Sequence, residues 1–171
     1  MIISHQWLSE WVAVPSDINR LSDLLTMAGL EVGGVESVAA VSKRVVVGEV
    51  IDSIPQKDRP QLKICRVDTG HARVRNIVCG AANVQAGIKV AVALPGAKLA
   101  SGPVRAQRFG DVLSNGMLCS SAELGLDDDS DGVLVLDNDA ETGRGLNDHL
   151  ELGDVLLDIE LTPNRGDCLS V

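Results

Sequence analysis

The run VVVGEVIDSI, residues 45–54, decides the fold, because it opens a series of short strand-like segments rich in β-branched residues. Four further runs follow, each ending in Gly or Asn: KICRVDTG (63–70), VRNIVCGAAN (74–83), KVAVALPG (89–96) and the weaker PVRAQRFG (103–110). Only turns separate the runs, whereas strands of a parallel sheet need crossover connections of about a dozen residues or more. The sequence therefore predicts a small antiparallel barrel.

Five strands in this length favour an OB-type barrel, although an SH3-like barrel or a sandwich fits the strand count nearly as well. The first 42 residues instead predict helix, because apolar residues recur there at helical spacing: Ile18, Leu21, Leu24, Leu25 and Ala28. Ser16 or Asp17 would cap this helix and Gly29 would end it. Trp7 and Trp11, four residues apart, share one face of a preceding helical turn, and we interpret them as packing anchors.

After the fifth run the pattern changes several times. GMLCSSAELGL (116–126) predicts a short helix, DDDSDG (127–132) an acidic turn and GVLVLD (132–137) a strand. DVLLDIELTPNRGDCLSV (154–171) predicts a long alternating strand, followed by a helix start near Asn164 or Asp167. A helix start with no helix behind it predicts that the chain is a fragment of a longer protein.

Composition narrows the classes of protein. No run approaches ~18 apolar residues, and the first 17 residues lack the basic segment and apolar core of a secretory signal, so neither a membrane span nor secretion is expected. Cys65, Cys79, Cys119 and Cys168 lie far apart without a CxxC pair, and none has a histidine near it in sequence. This pattern argues against a zinc site or disulfide framework and favours a cytoplasmic protein.

The charge is distributed unevenly. The net charge is −9, but residues 43–125 carry twelve basic and six acidic residues, whereas residues 126–171 carry two basic and thirteen acidic ones. A basic middle between acidic flanks favours a polyanionic partner for the middle segment, and a solvated basic surface is an equal alternative on charge alone.

Two other kinds of site are considered and set aside. Asp127, Asp129, Asp131 and Gly132 match the start of a calcium loop, but Asn138 stands where a bidentate glutamate is needed, so an ordinary acidic turn is favoured. Cys119 precedes a predicted helix and would be a nucleophile in a cysteine hydrolase, yet no histidine lies in an accompanying motif. We therefore predict no catalytic residue and no metal, and a buried role for Cys119.

The basic residues provide the stronger indication of function. They lie around the first predicted hairpin turn and on the fifth run: Lys57, Arg59, Lys63, Arg66, Arg105 and Arg108. Proteins that bind single strands without sequence preference stack bases on aromatic residues, but Phe109 is the single aromatic residue between 43 and 125. The sequence thus predicts recognition of phosphate backbone and shape, as in a folded RNA.

The ordered motifs VVVGEV, KICRVDTG, IVCGAANV, KVAVALPGA and SNGMLCSSAELGL resemble the tRNA-binding OB module of bacterial phenylalanyl-tRNA synthetase beta chains. Similar strand motifs occur in other tRNA-binding modules, such as the appendix of some methionyl-tRNA synthetases. The outer segments, WLSEWV with LLTMAGLEV and LTPNRGDCLSV, resemble the beta chain specifically, so that the likeness spans all 171 residues.

The resemblance implies a fold that is mainly β with α, in which an OB-fold barrel (42–151) is inserted into a discontinuous α+β domain (1–41 and 152–171). It implies a non-catalytic tRNA-binding and scaffolding segment of a two-alpha, two-beta ligase that attaches phenylalanine to tRNA. ATP and Mg²⁺ would serve the whole enzyme, with no cofactor in this segment, and tRNA and the alpha chain would be its partners. A free-standing tRNA-binding or RNA-chaperone OB protein is the alternative.

Residues matching the family's tRNA-contact positions are expected to form the site, together with nearby basic residues that restore charge: Lys57, Arg59, Lys63, Asn83, Arg105, Arg108, Ser114, Gly116 and Met117. Two stretches depart from the family pattern. PQKDRPQLK stands in place of a His-Pro-Asn-Ala-Asp-Lys-Leu-like run, and PVRAQRFGDV replaces a lysine-rich stretch. We therefore expect weak, salt-sensitive tRNA binding.

Overall fold

The computed structural model describes residues 1–38, 40–70, 73–161 and Pro163. Its elements, in chain order, are β1 (Ile2–Ser4), α1 (His5–Trp11), α2 (Ile18–Met27), β2 (Glu31–Ser37), β3 (Val45–Gln56), β4 (Arg59–Asp68), β5 (Arg75–Cys79), β6 (Lys89–Ala93), β7 (Lys98–Leu99), β8 (Gly102–Pro103), β9 (Gln107–Phe109), β10 (Val112–Ser114), β11 (Met117–Leu118), α3 (Ser121–Leu124), β12 (Val135–Leu136), α4 (Leu146–His149) and β13 (Val155–Glu160). They divide into two compact units, one spanning Val41–Leu152 and one built from the residues before and after it.

The larger unit contains the barrel. Its antiparallel strands follow the order β11-β6-β3-β4-β5, and β12 adds to β6. The two ends of this order approach each other, because the amide of Asn115 donates to the carbonyl oxygen of Asn76 at 2.8 Å. A nearly closed five-stranded barrel results, which confirms the predicted OB fold.

The first half of strand β3 is buried on both faces, which explains its run of three valines, residues 45–47. Val46 and Val50 belong to one core cluster. This cluster includes Cys65 of β4 and Ile77 of β5, which lie opposite each other in the sheet. Val45 and Val47 belong to a second cluster with Leu146 of α4. A strand covered on both sides reads as a continuous apolar stretch rather than an alternating one.

The smaller unit is a three-stranded antiparallel sheet, ordered β1-β13-β2, with α1 and α2. Its core contains Ile3, Leu8, Leu21, Leu157 and Ile159. The carboxylate of Asp17 caps α2 by accepting from the amide of Asn19 at 3.0 Å, and Gly29 follows the helix with φ of 87°. This helix therefore begins and ends as the sequence predicted.

Asp154 and Ser4 fasten the start of α1 in the smaller unit. The hydroxyl of Ser4 donates to the carboxylate of Asp154, which also accepts from the amide of Gln6 at 3.0 Å. Burial favours the neutral acid, but hydrogen bonds from Ser4, Gln6 and Val155 outweigh it and hold the pKa of Asp154 below its ordinary value. The carboxylate thus acts as a second cap beside Ser4.

Two sequence predictions need correction. The run 103–110 is not the fifth barrel strand, because β8 and β9 lie in separate two-stranded hairpins and β11 takes that place. Pro103 lacks the amide that a ladder strand requires. Trp7 and Trp11 are not buried anchors: they are 50% and 75% exposed and meet edge to face at 6.3 Å, while Leu8 supplies the buried face of α1.

Two further findings concern the rest of the fold. The helix start predicted near Asn164 or Asp167 falls outside the described residues. Among the residues that are described, no helix is long and apolar enough to cross a membrane.

Candidate nucleic-acid interface

The segment SNGM, residues 114–117, completes the barrel. Ser114 is buried, and its hydroxyl accepts from the amide of Val78 at 3.0 Å and donates to the carbonyl oxygen of Gly116 at 3.1 Å. Gly116 has φ of 140°, and a Cβ there would lie 2.9 Å from the carbonyl oxygen of Ala93. Met117 then pairs with Ala93 of β6. The segment thus contacts β5 on one side and pairs with β6 on the other. The structure therefore gives Ser114 and Gly116 a role in closing the barrel.

Replacing Ser114 with alanine is expected to lower the free energy of unfolding by about 2–3 kcal/mol, because the change leaves the amide of Val78 and the carbonyl of Gly116 without their partner. Urea denaturation measures this loss. Ser101→Ala is the control, since Ser101 is exposed on the turn between β7 and β8. Equal stability of the Ser114 and Ser101 variants would contradict the closing role.

Cys119 follows the closing segment and is fully buried, as predicted. Burial raises the pKa of its thiol to about 12, and the nearby Glu123 carboxylate adds to the effect. The thiol is therefore neutral near pH 7 and is not an activated nucleophile. Ser120 and Glu123 form a reciprocal capping box that starts α3, which places the predicted short helix at Ser121–Leu124.

Two of the predicted site residues fasten a loop. Lys63 donates from Nζ to the carbonyl oxygens of Ala82 and Val84, at 3.0 and 2.8 Å. Asn83 exchanges two hydrogen bonds with the backbone of Val133, at 2.9 and 3.0 Å. The polar atoms of both side chains thus have partners inside the unit, fixing the connection between β5 and β6.

The turn between β3 and β4 presents Lys57 and Arg59 at the end of the barrel. Both side chains are exposed, with Asp58 between them. The preceding residue, Gln56, is buried and donates from Nε2 to the carbonyl oxygen of Phe109 at 3.0 Å. This bond brings the basic turn beside the β9–β10 hairpin.

A groove of about 300 Å³ lies along the β9–β10 hairpin and the closing segment. Its lining includes four of the predicted site residues, Arg105, Ser114, Gly116 and Met117, together with Gln107 and Phe109. A second groove of about 560 Å³ shares Val78, Ser101 and Met117 with it, so the two grooves adjoin, and we call them together the depression. The depression is lined by residues of β5, the third barrel strand, and of the segment 101–117. In OB folds the third strand and the loop before the last strand belong to the surface that contacts oligonucleotides.

The depression has a basic end and an acidic end. Arg105 is exposed at the first groove, whereas the second contains Glu123 and Ser130, within reach of the acidic turn 127–132. Asp127 and Asp129 each accept an amide two residues ahead, at 2.8 and 2.9 Å, as in an ordinary turn. In the described part of the chain, no group of three or more His, Cys, Asp or Glu side chains is arranged to hold a metal ion.

The three side chains of β9 do not all face the groove. Gln107 and Phe109 line the groove, while Arg108 between them is exposed and outside the lining. Alternation along a strand explains this separation. Sequence reasoning did not include Phe109 in the site, although its position one residue after Arg108 placed it on the opposite face.

The predicted residues therefore fall into three groups. Lys57 and Arg59 are exposed at the β3–β4 turn, beside the hairpin that Gln56 contacts, and Arg105 and Met117 line the groove. Arg108 is exposed on the other face of the hairpin. The remaining residues maintain the fold through their own bonds or conformation: Lys63, Asn83, Ser114 and Gly116.

Comparison with known proteins agrees with this geometry. A family model described as "Putative tRNA binding domain" matches residues 45–145, more than half of the chain. Over its whole length the chain is also similar to the phenylalanine–tRNA ligase beta subunits of Coxiella burnetii (48% identical), Methylococcus capsulatus (47%) and Idiomarina loihiensis (48%). It spans 22% of the length of each of these relatives, and the predicted resemblance is confirmed. The chain belongs to the tRNA-binding domain family.

Proposed function

We propose that this chain binds tRNA through the basic end of its OB barrel, as part of a phenylalanine–tRNA ligase beta subunit. The observation that carries the proposal is that Arg105 lines a groove in a barrel of the tRNA-binding family. The hydrogen bond from Gln56 to Phe109 brings the turn with the exposed Lys57 and Arg59 beside the same hairpin. Phosphate contacts dominate affinity for nucleic acids, and flexible, exposed basic side chains supply them.

The parts of the proposed site have different tasks. Lys57, Arg59, Arg105 and Arg108 contact phosphates, and Met117 contacts the RNA from the groove. Lys63, Asn83, Ser114 and Gly116 position these contacts by holding the loops and the closing segment in place. Asp58 lies in the turn between β3 and β4, and Asp111 in the turn between β9 and β10. Both reduce the positive charge of the proposed site, which favours weak and salt-sensitive binding.

The larger assembly is part of the same proposal. The likeness to the beta subunits covers the residues outside 45–145 as well, which favours this role over that of a free-standing tRNA-binding protein. The complete ligase would work in the cytoplasm with an alpha chain as a two-alpha, two-beta assembly, and would use ATP and Mg²⁺. The barrel, 42–151, would be a tRNA-binding domain inserted between two parts of a discontinuous domain, 1–41 and 152–171, and would carry no catalytic residue.

A binding measurement with the 171-residue chain tests the proposal. Fluorescence anisotropy with labelled tRNA is expected to show binding that weakens as salt rises, with a slope of about −2 to −4 in a plot of log K against log salt, one unit for each phosphate contact. A control RNA duplex of equal phosphate number measures the contribution of charge alone. Absence of any salt-dependent binding to tRNA would contradict the proposal.

A further inference from the structure

We propose that the groove beside Phe109 receives an unpaired nucleotide of the bound tRNA, with its base against the Phe109 ring and its phosphate against Arg105. The inference deepens the proposed tRNA-binding function and rests on it. It changes the expected mode of recognition, because phosphate contacts alone would not discriminate between paired and unpaired RNA.

The first argument is the position of the ring. The sequence contains one phenylalanine, no tyrosine and two tryptophans, and both tryptophans lie in the smaller unit. Phe109 is therefore the single aromatic residue of the barrel unit. It is half-buried and lines the groove rather than the barrel core. An aromatic residue beside a basic groove is the arrangement with which OB folds stack bases.

The second argument is that the backbone carrying the ring is held in place. Gln56 is 7% exposed, and within the described part of the chain its side-chain amide makes one hydrogen bond, from Nε2 to the backbone carbonyl oxygen of Phe109. Its Oε1 has no partner among the described residues, so this bond is formed despite the cost of burying an amide. Gln56 is thus a positioning residue that ties Phe109 to the turn bearing Lys57 and Arg59.

The third argument concerns the occupant. The groove offers an apolar wall at Phe109 and Pro103, a polar amide at Gln107 and a cation at Arg105. These groups complement a nucleotide, which carries a flat base, a polar base edge and an anionic phosphate. Base pairs in an RNA helix are stacked on one another, so only an unpaired base presents its face to the ring.

The test uses three labelled RNAs with equal numbers of phosphates: a single strand of four to six nucleotides (~4–6 fits one OB fold), the same strand with its bases removed, and a duplex. The 171-residue chain is expected to bind the base-bearing strand about 5- to 100-fold more tightly than the abasic strand. Phe109→Leu keeps an apolar side chain in the hairpin and is expected to abolish this preference, and Phe109→Tyr to retain it.

A second variant separates the positioning of Phe109 from the contribution of charge. Gln56→Leu is expected to reduce the preference for bases severalfold while the salt slope stays unchanged, because the charges of the turn remain. Equal binding of base-bearing and abasic strands by the wild-type chain, or an unchanged preference in Phe109→Leu, would overturn the inference while leaving tRNA binding intact. Failure to bind tRNA and all three RNAs would contradict the proposed function and the inference together.

Discussion

Replacing Gly116 with alanine is expected to destabilise the barrel by about 2–6 kcal/mol, because two costs of about 1–3 kcal/mol add at this position. The first is conformational: Gly116 has φ of 140°, a region that residues with a side chain rarely adopt. The second is steric: the new Cβ would lie 2.9 Å from the carbonyl oxygen of Ala93 and 3.3 Å from Cδ1 of Ile77. Both neighbours belong to the barrel strands that Gly116 connects.

A matched control separates the two costs. Gly102 has φ of 120°, but a Cβ there would meet nothing within 4 Å. Gly102→Ala therefore carries the conformational cost alone, and we expect it to lower the free energy of unfolding by about 1–3 kcal/mol. Urea denaturation of both variants gives the comparison. If the two variants lost equal stability, the close approach of β5 and β6 at Gly116 would not be what makes glycine necessary.

The result bears on how the SNGM segment is understood. From sequence, Ser114 and Gly116 were candidates for RNA contact, because small polar residues in a turn allow a backbone to approach a phosphate. In the structure their atoms are already used: the hydroxyl of Ser114 bonds on both sides, and Gly116 fits between two strands. A family motif of this kind is consistent with a requirement of the fold as much as with one of the ligand.

The strands that could be predicted are those with a clear local sequence pattern. The β-branched runs starting at Val45 and Lys89 identify two barrel strands within a few residues of their observed bounds. The fifth strand could not be found this way, since β11 has only two residues and is defined by its pairing with β6. Periodicity has no meaning over two residues, so tertiary hydrogen bonds decide that strand.

The candidate site shows the same division between local and distant information. The exposed charges at Lys57, Arg59 and Arg105 follow from turn signals and composition. The bonds of Asn83 to Val133 and of Gln56 to Phe109 join residues that are 50 and 53 positions apart. No local pattern encodes such partners, so the loop-fastening role of Asn83 and the place of Phe109 in the groove emerge only with the fold.

The largest effect on binding is expected from the turn between β3 and β4. Removing both charges in a Lys57→Gln, Arg59→Gln variant should weaken tRNA binding about 10- to 100-fold near 0.1 M salt and flatten the salt slope by about two units, one per lost phosphate contact. Both side chains are exposed and Gln56 holds the turn beside the groove, so the variant should keep its stability. Anisotropy titrations of tRNA at several salt concentrations measure both quantities.

The control removes the same number of charges from the other end of the same strand. Lys43 and Arg44 are exposed just before β3 begins, whereas Lys57 follows directly after that strand ends, and β3 is twelve residues long. At ~3.3 Å per residue, the distance along β3 between the two pairs of charges is well above ~10 Å. Salt at ~0.1 M screens the interaction of exposed charges over about that length. Lys43→Gln with Arg44→Gln should therefore change tRNA affinity by less than about threefold if binding is confined to the Lys57 end. Equal losses in the two double variants would show that the whole basic segment attracts tRNA diffusely, and would contradict a site built around the Gln56–Phe109 contact.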